Sequence, residues 1–440
     1  MDERIDYALA VLMNAPNPER FARPSWLTYG AQPPAGEAPG IHIQASGFFG
    51  DNYGTPASLP PLPLEEIEKT PLLFGKPIVE RRGKALIVHA DIVASAYFLV
   101  TRYEEWVRRS VRDRHGRFPG RESLAFRAGF LLLPVVDEYA ALLRKWAKDV
   151  GIEIPAPRRQ FSALLTHDVH TFGESGLVQA ARCVAGALLR RRPFRQGLDA
   201  AAAALRKKHP LDNLDEVLQL DRSLTERFAS RRCRSIWFFM AGGNSPHDDP
   251  YVLESAKILS SLRYVLAADA EIALHASYEA GAKPELVKAE RLALEKAVGV
   301  PVEKNRHHFL GWREPEHGEI IAEAGIRWDS TLGYADAAGF RLGVCRPIPL
   351  FDPIRQKPLG IEEHPLIVMD CTLNMSVYMN LDEEAAFGCV RQLMDATFRH
   401  RGEFIGLWHN TELASDARSY HKRLYPRVLN HLKQLLENDR

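Results

Sequence analysis

The sequence predicts an α/β protein: βα units around a largely parallel sheet over residues 156–440, preceded by an α+β region over residues 1–155. Three observations point there. From Phe161 onward, short apolar runs alternate with segments of helical periodicity. Most of those runs end directly in polar residues capable of chemistry, as expected where sites form at the C-terminal ends of parallel strands. Before Phe161 the alternation is missing, and a Pro/Gly-rich stretch from Gln32 to Pro63 reads as loops and turns.

The N-terminal region comes first in order. An apolar segment, Ala85–His89, is followed by a helical pattern from Asp91 through Val107. A polar turn carries Asp113, His115, Gly116 and Arg117, and a helix from Val135 to Val150 closes the unit. Pro155-Ala156-Pro157-Arg158-Arg159 reads as a linker. The strands expected after it are Phe161–Leu165, Ser235–Met240, Glu271–Leu274, Val302–Asn305, Ile326–Asp329, Leu366–Met369 and Phe404–Trp408. Residues 173–208 interrupt this series with a basic helical insertion. It reads either as a solvated helical pair or as a weak contact with an anionic membrane surface or a lipid-linked substrate.

A chain of 440 residues has room for two or three domains, and 46% hydrophobic with 26% charged residues is ordinary for a globular protein. A net charge of +1 gives no pull toward nucleic acid. The five cysteines (Cys183, Cys233, Cys345, Cys371, Cys389) are odd in number and lack C-x-x-C spacing, so they read as thiols in a reducing compartment. Met1-Asp2-Glu3-Arg4 is acidic where a signal peptide needs positive charge, and no apolar run reaches membrane-spanning length. A cytoplasmic location is expected, with peripheral contact at the inner membrane as the variant.

The most informative stretch is Thr166-His167-Asp168-Val169-His170. Side chains two apart on an extended chain share a face, so Asp168 and His170 point together and His167 points away. Further chemistry stands at the other strand ends. His275 follows Glu271–Leu274. Arg306, His307 and His308 follow Val302–Asn305, and only one of the two adjacent histidines can face a site. Trp328-Asp329 opens a polar, glycine-rich segment running through Tyr334 to Arg341. Asp370 follows Leu366–Met369, and His409 ends Phe404–Trp408. This assembly supports metal-assisted hydrolysis: imidazoles hold a divalent ion, a carboxylate takes a proton from water, and a histidine protonates the leaving group.

The order of these motifs resembles the polysaccharide deacetylase family, whose sugar amidases use a distorted (β/α) barrel. The resemblance implies that fold for residues 156–440, with residues 1–155 as an accessory domain. Thr166-His167-Asp168-Val169-His170 matches the family's first motif, with Asp168 as catalytic base. His275 matches the first metal histidine of the second motif, and Arg306 the arginine that orients the base. Trp328-Asp329 matches the fourth motif, and Gly406-Leu407-Trp408-His409 the last, with His409 as general acid. A less characterised bacterial subgroup shares His275-x-Ser277-Tyr278, Arg306-x-His308-Phe309-Leu310 and Asp329-Ser330-Thr331-Leu332-Gly333-Tyr334.

Two positions depart from the family. His170 stands where a metal-binding aspartate is usual, and Glu279 where the second metal histidine should be. His308 or Glu279 must then complete the ligand set, with His308 favoured. Three histidines make a good catalytic zinc site with an open fourth position. The resemblance thus implies a zinc-dependent carbohydrate N-deacetylase acting on an N-acetylated glycan or a nucleotide- or lipid-linked sugar. Its metal ligands are His170, His275 and His308. Asp329 tunes His409 or binds substrate, and Trp312, Tyr334, Arg341 and Asp370 are candidates for substrate contact. The alternatives are a non-catalytic carbohydrate-binding or scaffold protein on a degenerate form of the same barrel, or an amidase for a non-sugar amide.

Overall fold

The computed structural model describes residues 2–15, 18–33, 39–155, 159–170, 213–248, 251–313, 317–414 and 419–439. The basic insertion expected at 173–208 lies outside the described residues. No helix among them is long and apolar enough to cross a membrane.

The N-terminal region holds a four-stranded sheet: β1 (Leu27–Gly30), β2 (Gly40–Gln44), β3 (Gly75–Arg82) and β4 (Ala85–Ala90), in the order β1-β2-β4-β3. Helices Glu3–Leu12, Ile92–Val100 and Val135–Asp149 accompany it. The last buries Val135, Val136, Tyr139, Ala140, Leu143, Trp146 and Ala147. That three-to-four-residue spacing makes one apolar stripe. The single helix expected over 91–107 is in fact two, because Arg102 adopts left-handed backbone at φ 53° and starts a second short helix at Tyr103. A non-glycine residue in that region ends the first helix.

The larger sheet has nine strands: β5 (Ser162–Val169), β6 (Cys233–Phe239), β7 (Glu271–Ala276), β8 (Lys304–His307), β9 (Trp328–Asp329), β10 (Ile348–Asp352), β11 (Lys357–Glu363), β12 (Val368–Met369) and β13 (Glu403–Leu407). Their order is β10-β11-β9-β8-β7-β6-β5-β13-β12, and every pair is parallel except β10/β11. The sheet curls into a half-barrel with β10 and β12 at its edges among the described residues; a closed barrel is not formed there. The antiparallel pair β10/β11 has no counterpart in the sequence reading. Strand β5 is longer than its apolar core suggests. Its ladder with β6 runs through His167, Asp168 and Val169, so the polar end of the motif is still strand and nearly all of it is buried. Partners on both sides and cover on both faces explain why this strand reads as a continuous apolar run.

The two regions share one apolar core, which extends from Tyr7 to Leu436. Two buried ion pairs fix them together. Arg341 reaches Glu105 with both sides of its guanidinium, at 2.9 and 2.6 Å. Arg346 donates to Asp137 at 2.9 Å and to the Val11 carbonyl at 2.6 Å. All four side chains are nearly inaccessible. Taking such charges out of water is costly, and the fork-to-carboxylate geometry offsets that cost only while both partners remain.

A second buried feature lies at the end of β9. The register sets Asp329 directly beside Glu363 of β11. Asn305 Nδ2 and the Thr331 amide donate to Asp329 at 2.7 and 2.8 Å, and the Leu332 amide donates to Glu363 at 2.9 Å. Burial raises both carboxyls, and the charge of Asp329 raises Glu363 further; Asp329 is pushed up to about 6. Two adjacent carboxylates in low dielectric cannot both ionise easily, so the pair retains a proton.

Two predictions follow from these contacts. Glu105→Ala leaves the Arg341 charge buried and unpaired, and should lower the unfolding free energy in urea by about 3–5 kcal/mol; a loss under about 1 kcal/mol contradicts the role given to this pair. The Asp329/Glu363 pair binds protons more tightly folded than unfolded. Its contribution to stability is therefore present at low pH and lost as pH rises through the raised folded values, from about 4 past 6. Glu363→Gln should remove a loss on the order of 1 kcal/mol or more between pH 4.5 and 7.5, visible as urea midpoints that change less with pH than in the wild type.

Candidate active site

The C-terminal ends of β5, β7 and β8 bring three imidazoles together. His170 follows β5 directly, His275 lies in β7, and His308 follows β8. Each offers a ring nitrogen, and these atoms lie within 4.8 Å of one another. Ring centroids are 5.4 Å apart for His170–His275, 4.6 Å for His170–His308 and 5.0 Å for His275–His308.

The partners of these rings fix which nitrogen faces inward. Nδ1 of His275 donates to the Arg306 carbonyl at 2.9 Å, and Nδ1 of His308 donates to Asp248 at 3.0 Å. Both rings are thereby held with Nε2 free to act as a ligand. The His275 Nε2 is buried without a hydrogen-bond partner among the described residues, an unfavourable position for a nitrogen lone pair that a cation would relieve. Burial, reinforced by the neighbouring imidazoles, holds His170 and His275 well below the ordinary histidine value, so both are neutral at physiological pH. Three converging imidazoles and an orphaned nitrogen fit a divalent metal of the zinc type.

Asp168 lies beside this cluster. Its Oδ2 is 3.7 Å from the His275 Nε2, and its Oδ1 accepts from Arg306 at 3.0 Å. Arg306 is wholly buried. It also donates to Thr166 Oγ1 at 2.9 Å and to the Ser330 carbonyl and hydroxyl at 2.9 and 3.0 Å, and its guanidinium lies over the Phe238 ring at 4.2 Å. One carboxylate oxygen is therefore tied and the other faces the imidazoles. Such a carboxylate can take a proton from a water near the cluster.

His409 stacks on His170 with centroids 4.8 Å apart. Its Nδ1 bonds Asp370 at 2.7 Å and its amide donates to the other Asp370 oxygen at 2.6 Å. Burial works to lower the His409 pKa, but the Asp370 charge outweighs it and holds it well above the usual value. Burial likewise works to raise Asp370, and His409 holds it below the carboxylate range. A protonated imidazole is thus stationed beside the neutral His170 and His275.

Several assignments expected from sequence change here. Asp370, expected as a substrate contact, is the carboxylate that orients His409. Asp329, expected in that role, is committed to Asn305, Thr331 and Glu363. Tyr334 and Arg341 do not face a substrate. They are buried against Glu105, with the Arg341 guanidinium over the Tyr334 ring at 4.9 Å. Trp312 is 4% exposed and packs beside His307, so it presents no open face for a sugar. Glu279 lies in a short helix paired with Lys283, away from the cluster, and His308 stands with His170 and His275 instead. Of the adjacent histidines, His307 turns inward to Asn305, and burial pushes it down to about 3.

Other participants were missed. Asp248, which holds both His308 and the Tyr278 amide, sits in a loop after β6; the rule that flagged the other strand ends applies to His247-Asp248 as well. Asn410 accepts from the His170 amide at 3.2 Å. From the N-terminal region, His115 bonds the Tyr278 hydroxyl at 3.2 Å and packs on Phe309, while Arg117 donates to the Phe309 carbonyl at 2.9 Å. Phe309 in turn packs on His308. The turn Asp113–Arg117 therefore walls one side of the cluster.

No curated protein matches this chain. Residues 4–151 match the model of a family of unknown function, DUF7033. Among solved structures, one from Mycobacterium smegmatis, assigned to the polysaccharide deacetylases without an established activity, matches at a TM-score of 0.38 and 14% identity, over 65% of this chain and 92% of that one.

Proposed function

We propose that the protein is a metal-dependent hydrolase that removes the acetyl group from an N-acetylated sugar. The observation that carries this reading is the convergence of His170, His275 and His308, with the clamped carboxylate of Asp168 and the Asp370-bound His409 beside them. His170, His275 and His308 would hold the ion. A divalent metal bound there supplies a Lewis acid that acidifies water and polarises an acyl oxygen.

The chain's own residues supply the remaining steps. Asp168 removes a proton from the attacking water with Oδ2, because Oδ1 is engaged by Arg306. Arg306 keeps that carboxylate aimed, a positioning role made possible by its own complete burial. His409 delivers a proton to the departing amine nitrogen, and Asp370 keeps it charged and correctly turned until then. The base lies next to His275 and the acid is stacked on His170, so both adjoin the imidazole cluster.

The reading is tested by incubating the purified protein with zinc and a panel of N-acetylated sugars and sugar nucleotides, and measuring released acetate. Asp168→Asn and His409→Ala should each lower kcat about 10²–10⁴-fold while metal content stays at wild type. Equal turnover in both variants would overturn the assignment of base and acid. The ligand set has its own check by elemental analysis of dialysed protein. His275→Ala should lose the bound divalent metal, and Glu279→Ala should keep it. Retention in His275→Ala would contradict the three-histidine site.

A further inference from the structure

A second candidate site lies beside the first, where the N-terminal region meets the loop after β8. A cavity of about 460 Å³ is lined by Arg109, Arg112, Gly116, Arg313 and His317. Its described lining thus carries three guanidinium groups and an imidazole, with no Asp or Glu among them. Arg112 is braced from behind, with Nη2 donating to the Glu105 carbonyl at 3.0 Å and Nη1 to the Val111 carbonyl at 2.7 Å. The nearby carboxylate of Asp113 is already committed to Arg117 and to two backbone amides. Among the described residues, the side chains of Arg109 and Arg313 have no hydrogen-bond or ion-pair partner. Unlike the paired surface arginines elsewhere, such as Arg108 with Glu104 and Glu122, their charge is unspent. Like charges converging on one concavity raise its potential and favour a multiply charged anion. Planar guanidinium forks suit phosphate oxygens in particular.

The cavity is coupled to the imidazole cluster by a short route. Gly116 adjoins His115, His115 packs on Phe309 with centroids 4.7 Å apart, and Phe309 packs on His308 at 4.7 Å. Gly116 has φ 78°, and a Cβ there would lie 3.0 Å from the Arg313 guanidinium. The turn therefore approaches Arg313 as closely as it does only with glycine at this position. We propose that this cavity binds the phosphate or diphosphate through which the substrate sugar is linked to its carrier, so that the anion is held between Arg109, Arg112 and Arg313 while the sugar lies against the imidazoles. This inference rests on the hydrolase reading for the identity of the sugar, but the anion site itself can be measured without catalysis.

The experiment titrates inorganic pyrophosphate calorimetrically into the full chain after chelation of metal, which removes any binding at the imidazoles. Saturable binding is expected, weakened about tenfold in Arg109→Gln and in Arg313→Gln, with the effect growing at low salt. Both residues are exposed, and unchanged thermal unfolding of the variants verifies that the fold is intact. No binding, or equal binding in wild type and both variants, overturns the proposal even if neutral N-acetylated sugars are hydrolysed. Binding that follows the arginines in a protein that hydrolyses no amide supports the anion site and overturns only the hydrolase reading. A nucleoside diphosphate and a polyprenyl diphosphate in neutral phosphatidylcholine vesicles then identify the carrier; preferential loss of affinity for either one in the arginine variants supports the proposal.

Discussion

The site depends on the burial of one guanidinium. Arg306 is inaccessible to solvent, yet its charge is met on every side. Thr166 and Asp168 of β5 receive one nitrogen, Ser330 after β9 receives two more, and the Phe238 ring of β6 faces the cation. The residue's own carbonyl accepts from His275 of β7. One side chain and its peptide thereby set the relative positions of four strands at their C-terminal ends. An unpaired buried arginine would cost several kcal/mol, so the same network that lets the charge exist also fixes Asp168 and selects the tautomer of His275. The groups that satisfy the charge are thus the same groups that place Asp168 and His275 at the imidazole cluster.

Around this fixed point the electrostatic arrangement is graded. Burial keeps His170 and His275 neutral, with lone pairs available, while Asp370 keeps His409 protonated only one ring contact away. The His409 ring bonds a carboxylate directly, at 2.7 Å, whereas the His275 ring lies 3.7 Å from Asp168 and burial dominates. His308 also contacts a carboxylate, Asp248. That contact is through Nδ1 and leaves Nε2 directed at the cluster, the usual arrangement in which an outer carboxylate orients a ligand imidazole.

Much of this was legible in the chain. The period of two in an extended strand separates Asp168 and His170 from His167, and the structure seals His167 on the other face between the Trp408 carbonyl and Asp221. The alternation of apolar runs and helical segments gives the parallel sheet. What sequence could not reveal was which polar residues are committed to one another across long separations. Tyr334 and Arg341 sit in a polar segment after a strand, as substrate residues do, but their partner Glu105 is 236 residues before Arg341. Asp329 and Asp370 were exchanged for a similar reason: both end short strands, and only the lateral order of strands shows that Asp370 adjoins His409 while Asp329 adjoins Glu363. The edge pair β10/β11 lacks a helix between its strands, so a reading built on βα units had no place for it.

In the proposed site three imidazoles, and not the neighbouring Asp370–Cys371–His409 group, hold the metal. Both groups offer ligand atoms within 4.8 Å of one another, but they differ in element. X-ray absorption at the zinc edge, on the full chain loaded with one equivalent of zinc, separates them directly. Three imidazole ligands should give nitrogen and oxygen neighbours only, with imidazole scattering and metal–ligand distances of about 2.0–2.1 Å. A sulfur neighbour at about 2.3 Å would place the ion at Cys371 and contradict the three-imidazole site.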